Sequence, residues 1–298
     1  MVQTLDITRN SISTALKAYA AGDAFGVAYE FTDFLEVTDA LLEKDGWPFG
    51  GVSDDTLLTL LTLETLAAEN SKIAASNFLS NLKLAAPELR GLGPTTRFAL
   101  GMSVKDSEKH LIGKSNGGMM RTALLGLAFP LARSKERQDY VSNLVAATHS
   151  DADAILAAQI AAELFSHAIE GSGASTNEVT EEVLIAAADV LPATKELLQS
   201  QSQWIAPKEG ISLDPLETLL AFTFVADRNQ TVLGAYKEAC GLRGDTDTVS
   251  ALAGSLVAAR NTKDCGFKDI FWLDQVSWDE ISQLESIIDL VLKKRLSS

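Results

Sequence analysis

Cysteine is scarce in this chain. Cys240 and Cys265 lie in neither a CxxC nor a His-rich setting, which excludes a disulfide framework and a cysteine-based zinc site and fits a reducing compartment. Histidine is as rare, with three in 298 residues. Long apolar runs are missing too: no uninterrupted stretch approaches the ~20 residues that span a bilayer. The opening MVQTLDITRNSIS has no basic region followed by an apolar one, as an export signal would have. A soluble, cytoplasmic protein is expected. Positive charge is in deficit, with 25 Lys+Arg against 40 Asp+Glu and a net charge of −15. That balance repels a phosphate backbone and argues against extended nucleic-acid binding, while leaving room for a small anionic ligand.

What the chain does have is helical periodicity. Apolar residues make up 46% and charged residues 22%, an ordinary globular mixture with a mean hydropathy of +0.10. Apolar positions recur at spacings of three and four over Ser53–Asn70, Ser71–Ala86, Lys135–Ala147, Asp151–Glu170, Leu213–Ala226, Thr246–Arg260 and Asp279–Leu296. The stretch from Ala154, AILAAQIAAELFSHAIE, is apolar around most of its circumference and predicts a central helix, on which His167 is a packed residue. Breaks fall at Gly46–Gly51, Gly91–Pro94, Gly113–Gly118, Gly171–Asn177 and Pro207–Asp214, none long enough for a domain linker. No strand pattern or fixed-period repeat is present. The expectation is one all-α, compact, multi-helix domain over residues 1–298, working as a monomer.

Two acidic clusters stand at predicted helix starts. Ser53-Asp54-Asp55-Thr56 precedes LLTLLTLETLAAE, and Gly244-Asp245-Thr246-Asp247-Thr248 precedes VSALAGSLVAA. Capping accounts for one serine or aspartate at each start. It does not require two carboxylates and two hydroxyls within four residues, a set of hard oxygen donors suited to Mg²⁺ or Mn²⁺. Spacing alone does not bring the clusters together.

With three further segments, Gly22-Asp23-Ala24-Phe25-Gly26 with Glu30, Ser115-Asn116-Gly117-Gly118-Met119-Met120-Arg121 and Thr148-His149, these clusters form an ordered set over nearly the whole chain. The set resembles the ADP-ribosylglycohydrolase family, which includes dinitrogenase reductase-activating glycohydrolases and ADP-ribosyl-acceptor hydrolases. The resemblance implies two Mg²⁺ or Mn²⁺ ions held by Ser53, Asp54, Asp55, Asp245, Asp247 and Thr248, with Asp247 shared. It places ADP-ribose against the Gly113–Gly118 segment, with Gly113, Ser115, Asn116, Gly117 and Gly118 as contacts. Read from the residues, that glycine-rich segment offers exposed amides before a helix, an anion-binding arrangement. Arg121 pairs with a phosphate or braces the acidic site, and His149 is ligand-adjacent or structural. Asp23 reads as a brace for neighbouring turns. Two departures stand out: Ser53 where the family usually has threonine, and Leu242-Arg243 where it often has another glycine.

The reaction this implies is hydrolysis of the bond between ADP-ribose and a modified acceptor, on a protein or a small conjugate, with Glu30 and Asp55 as catalytic carboxylates. ADP-ribosyl-arginine is the favoured acceptor. The alternatives are a non-catalytic ADP-ribose-binding or crystallin-like protein, and a hydrolase of a small ADP-ribosyl or nucleoside compound.

Overall fold

The computed structural model describes residues 2–32, 36–187 and 189–297, with side chains from residue 8 onward. Thirteen α-helices are described: α1 (Val2–Gly26), α2 (Asp54–Glu64), α3 (Ser71–Ala85), α4 (Pro94–Ala99), α5 (Gly117–Thr122), α6 (Ser134–Ala146), α7 (Ala152–Glu170), α8 (Thr176–Ala186), α9 (Pro192–Gln199), α10 (Pro215–Arg228), α11 (Val232–Leu242), α12 (Thr246–Arg260) and α13 (Leu284–Leu296). Among the described residues there is no strand, only an isolated parallel bridge between Ile211 and Gly244. The all-α class read from the periodicity is the observed one.

Each of the seven predicted segments contains a helix, with shifted ends. The first stops early: α2 tightens into a 3₁₀ turn at Thr65–Ala67, and Asn70 then caps α3 by accepting from the amides of Lys72 and Ile73. α7 is the centre. Its apolar circumference packs against α5, α6, α8, α10 and α12, and it ends at Gly171, whose left-handed backbone (φ 60°) closes the last turn. By length and composition α7 is apolar enough to cross a membrane, which the sequence reading did not anticipate; in the structure it is mostly buried in protein. Arg137 on α6 and Glu163 on α7 form a fully interior ion pair, which Ser134 and Gln138 complete by donating to Glu163.

The helix pair that positions the site is α1 against α12, the most extensive contact in the fold. Its closeness depends on Gly26: a Cβ there would lie 2.4 Å from the Cα of Asp247. Only hydrogen at that position lets the end of α1 meet the start of α12, and Thr246 locks the crossing by donating to the Gly26 carbonyl at 2.9 Å. The turn into α12 is equally constrained. Gly244 has φ 78°, and a Cβ there would collide with Ile211 backbone atoms at 2.0 Å. Ile211 donates to Arg243 O and accepts from Asp245 N, so the segment predicted only as a break at Pro207–Asp214 stitches down the second acidic cluster.

Candidate active site

Asp23, at the end of α1, organises the first cluster. It is fully buried, and its carboxylate accepts the backbone N–H of Ser53 at 3.0 Å and of Thr56 at 3.1 Å, together with the Thr56 hydroxyl at 2.5 Å. Burial pushes its pKa up to about 6, against the pull of those hydrogen bonds. These contacts match its reading as a brace, extended over 30 residues of sequence. Ser53 is the N-cap of α2, its hydroxyl accepting from Asp55 N at 3.0 Å.

The two acidic clusters meet. Carboxylate oxygens of Glu30, Asp245 and Asp247 lie within 4.8 Å of one another. Asp54 feels the charges of Asp23 and Glu30, and Asp55 those of Asp23, Asp54 and Asp245. Burial first, and this crowding second, raise Asp54, Asp55 and Asp247 well above the usual carboxylate range. Burial and the charge of Glu30 lift Asp245 to about 7, despite donors from Asn116 and Thr248. Thr248 donates to Asp245 Oδ1 at 3.2 Å and keeps it turned toward the pocket.

Two observations speak to what the pocket holds. Asp55 Oδ2 and Asp247 Oδ1 are buried without a hydrogen-bond partner, a costly state for a carboxylate oxygen unless a cation or a proton arrives. Among the described residues, none of Asp23, Asp54, Asp55, Asp245 and Asp247 forms an ion pair; the one ion pair to the six-carboxylate group is from Lys44 to Glu30, at 2.7 Å. Oxygen donors with uncompensated charge fit hard divalent cations.

The second half of the site is the turn before α5. Asn116 donates from Nδ2 both to Thr218 Oγ1 and to Asp245 Oδ2, tying the glycine-rich segment to the second acidic cluster. The segment differs from the open cradle expected of it. Three of its amides are already used: Gly113 N donates to Thr95 Oγ1 at 3.1 Å, Lys114 N to Leu111 O at 2.9 Å and Asn116 N to Leu213 O at 2.9 Å. Ser115 and Asn116 are buried, and Gly118 packs on the ring of His149 while the more open Gly117 approaches its Nε2.

His149 is wholly interior. Burial, and then the charge of Arg121, lower its pKa to about 3, so it is neutral. Thr148 Oγ1 lies 2.8 Å from its Nδ1 and Ser115 Oγ lies 3.1 Å from its Nε2. Ser115 donates onward to Thr95, and Thr95 to Leu111 O, so Ser115 is left to accept from Nε2–H. The ring therefore serves as a support under the turn, with both nitrogens engaged. Arg121 is buried as well: it donates to Leu144 O at 2.7 Å and Thr148 Oγ1 at 2.9 Å and stacks 4.1 Å from the centre of Phe78, leaving Nη1 unpartnered. No carboxylate is among its contacts. It braces the Thr148-His149 step, a role apart from the phosphate and acidic-site readings of the sequence.

Sequence reasoning missed Thr95, Thr218 and Lys44. A hydroxyl under a turn 20 residues away, or a lone lysine in a loop, carries no local signal of what it will meet. Trp47 donates from Nε1 to Gly51 O beside the first acidic cluster.

The all-helical fold gathers buried, uncompensated carboxylates at two helix starts beside a glycine-rich turn. The chain belongs to the ADP-ribosylglycohydrolase family, whose model matches residues 4–296. Among solved structures, one titled "ADP-ribosylglycohydrolase-related protein complex" is similar over 98% of this chain and all of that one, with a TM-score of 0.75 and 22% identity, a likeness of fold. A search of curated proteins found no match. Family membership supports a glycohydrolase acting on ADP-ribosyl compounds.

Proposed function

We propose that the protein is a divalent-metal-dependent hydrolase that releases ADP-ribose from a modified acceptor, with ADP-ribosyl-arginine as the first candidate substrate. The observation that carries this reading is the pair of buried, unpartnered oxygens on Asp55 and Asp247, in an acidic cluster whose one ion pair among the described residues is that of Lys44 with Glu30. Asp54, Asp55, Asp245 and Asp247, with Ser53 and Thr248, would hold two Mg²⁺ or Mn²⁺ ions. Bound there, the ions would supply Lewis acidity toward ribose oxygens and the attacking water.

The chain's own residues supply the rest. Glu30 is the half-exposed carboxylate of the group and can take the proton of a water arriving from solvent, whereas Asp55 is fully buried. As the water oxygen bonds to the anomeric carbon, the bond to the acceptor breaks and the acceptor leaves with a proton. Asp23 contributes rigidity, fixing the α2 start from which Asp54 and Asp55 project. Asn116 links the ADP-ribose-facing turn to Asp245, so that binding of the adenosine diphosphate part and the chemistry share one framework. Motifs from both sides of the Gly171 turn build this one site, which supports a single domain; its proposed partner is an ADP-ribosylated protein or a small ADP-ribosyl conjugate, and the proposed working form is a cytoplasmic monomer.

The test is ADP-ribose release from arginine-linked and serine-linked conjugates, with Mn²⁺ or Mg²⁺ and after chelation. Release from the arginine conjugate that chelation abolishes supports the reading. Metal-independent release refutes the metal, and release from the serine conjugate alone refutes the acceptor.

A further inference from the structure

Lys44 is the one described cation paired with any of the six carboxylates, and it has two seats. Its Nζ donates to Glu30 Oε2 at 2.7 Å and at the same time lies 5.2 Å from the centre of the Trp47 ring. Trp47 is fixed: Nε1 donates to Gly51 O, and Arg90, itself paired with Glu280, lies 5.4 Å from the ring centre. Lys44 sits in a loop outside any helix, two residues from Gly46 with its left-handed backbone (φ 72°). Its four-carbon stem can therefore shift the ammonium without disturbing a helix.

Glu30 is shared in the same way. One of its oxygens is held by Lys44, yet its carboxylate also stands within 4.8 Å of Asp245 and Asp247. An ion seated against Asp245 and Asp247 and the Lys44 ammonium therefore draw on the same carboxylate. The geometry points to Lys44 as a built-in counter-cation that competes with the divalent ion for Glu30 and, once displaced, rests on the Trp47 face. Lys44 is thus a positioning residue: it holds Glu30 at the mouth of the pocket until the ion takes it. The inference rests on the metal reading above, and it adds a setting of ion affinity by a residue that is no ligand.

The test is calorimetric titration of Mn²⁺ into the metal-stripped full chain and four variants, without substrate. Lys44→Met keeps the apolar stem on Trp47 and removes the charge; it is expected to tighten Mn²⁺ binding about two- to fivefold, the range a partly exposed ion pair spans. Lys44→Arg keeps the charge and is expected to bind like the unaltered chain, which separates competition from a folding defect. In a Glu30→Gln background Lys44→Met is expected to change nothing, because the contested carboxylate is gone. Unchanged or weaker binding in Lys44→Met overturns the inference, as does a gain that persists in the Glu30→Gln background, which would reflect long-range repulsion alone. Absence of uptake by the unaltered chain overturns this inference together with the metal reading, whereas uptake that Lys44→Met leaves unaltered overturns only this one.

Discussion

Stripping the pocket of metal and raising the pH should destabilise the protein, and the sign follows from the buried aspartates. An acid whose pKa is higher in the folded chain than in the unfolded one keeps its proton longer when folded, so stability falls as pH rises from the unfolded value through the folded one. Asp245 stands at about 7, and Asp54, Asp55 and Asp247 are raised well above 3.8. His149 works in the opposite direction: held near 3, it makes the fold lose stability as pH drops below about 6.5. Between pH 6.5 and 8 the unfolded histidine goes from half protonated to neutral, an opposing contribution of about 0.4 kcal/mol, and the aspartates dominate. Over this window Asp245 alone costs about 1 kcal/mol, and Asp54, Asp55 and Asp247 push in the same direction. At about 2 °C per kcal/mol for a chain of this length, the Tm of the metal-free protein should fall by about 2 °C or more. Saturating Mn²⁺ should raise Tm and abolish or reverse the slope, because ions bind the deprotonated carboxylates and leave no protons to lose. Scanning calorimetry at both pH values, with and without Mn²⁺, reads this directly. A metal-free Tm that is flat or rises toward pH 8, or the same slope with Mn²⁺, refutes the reasoning.

Three substitutions extend the account. Ser53→Ala removes the cap on α2 and should cost about 1 kcal/mol in thermal stability and weaken Mn²⁺ binding, while Ser53→Thr keeps both; equal Mn²⁺ affinity for Ser, Thr and Ala would make the hydroxyl a cap only. Gly26→Ala forces a methyl against Asp247 and should destabilise by about 3 kcal/mol in denaturant titration, with loss of Mn²⁺ affinity; an unperturbed variant would mean that the α1 and α12 crossing gives way freely. Glu30→Gln should lower turnover by about two orders of magnitude or more while ADP-ribose still binds and the aspartates still take up Mn²⁺, with lower affinity; near-normal turnover would pass the proton role to another carboxylate.

The fold class and the core helices were legible because periodicity records burial on one face. Where burial is nearly complete the pattern fades, and α1 escaped for that reason: its Ala, Tyr and Phe positions are interior on most sides, and no stripe distinguishes them. α11 escaped because Gly234 and Gly241 interrupt its pattern, and α8 and α9 because they are short and largely polar outside a few buried positions. At the site, the acidic motifs named the carboxylates, since their chemistry is visible in the residue types. Their convergence was not visible, because it depends on the Gly26 crossing and on the Ile211 stitch, both contacts between distant segments. Arg121 and His149 show the converse. Charged or titratable residues in a motif suggest ligand contact, while in the structure both His149 nitrogens and part of the Arg121 guanidinium are engaged with Leu144, Thr148 and Ser115 beneath the glycine-rich turn, and Arg121 Nη1 is left unpartnered.

The central claim is that the pocket built by the two helix starts is a divalent-cation site, and Asp247 is its most exacting point, being buried with an unpartnered oxygen between Glu30 and Asp55. Calorimetric titration of Mn²⁺ into the metal-stripped chain and its Asp247→Asn variant measures that directly. About two ions per unaltered chain are expected, with affinity at least about tenfold weaker in the variant, because a neutral amide cannot balance the charge. No uptake by the unaltered chain, or equal affinity in the two, would contradict the account.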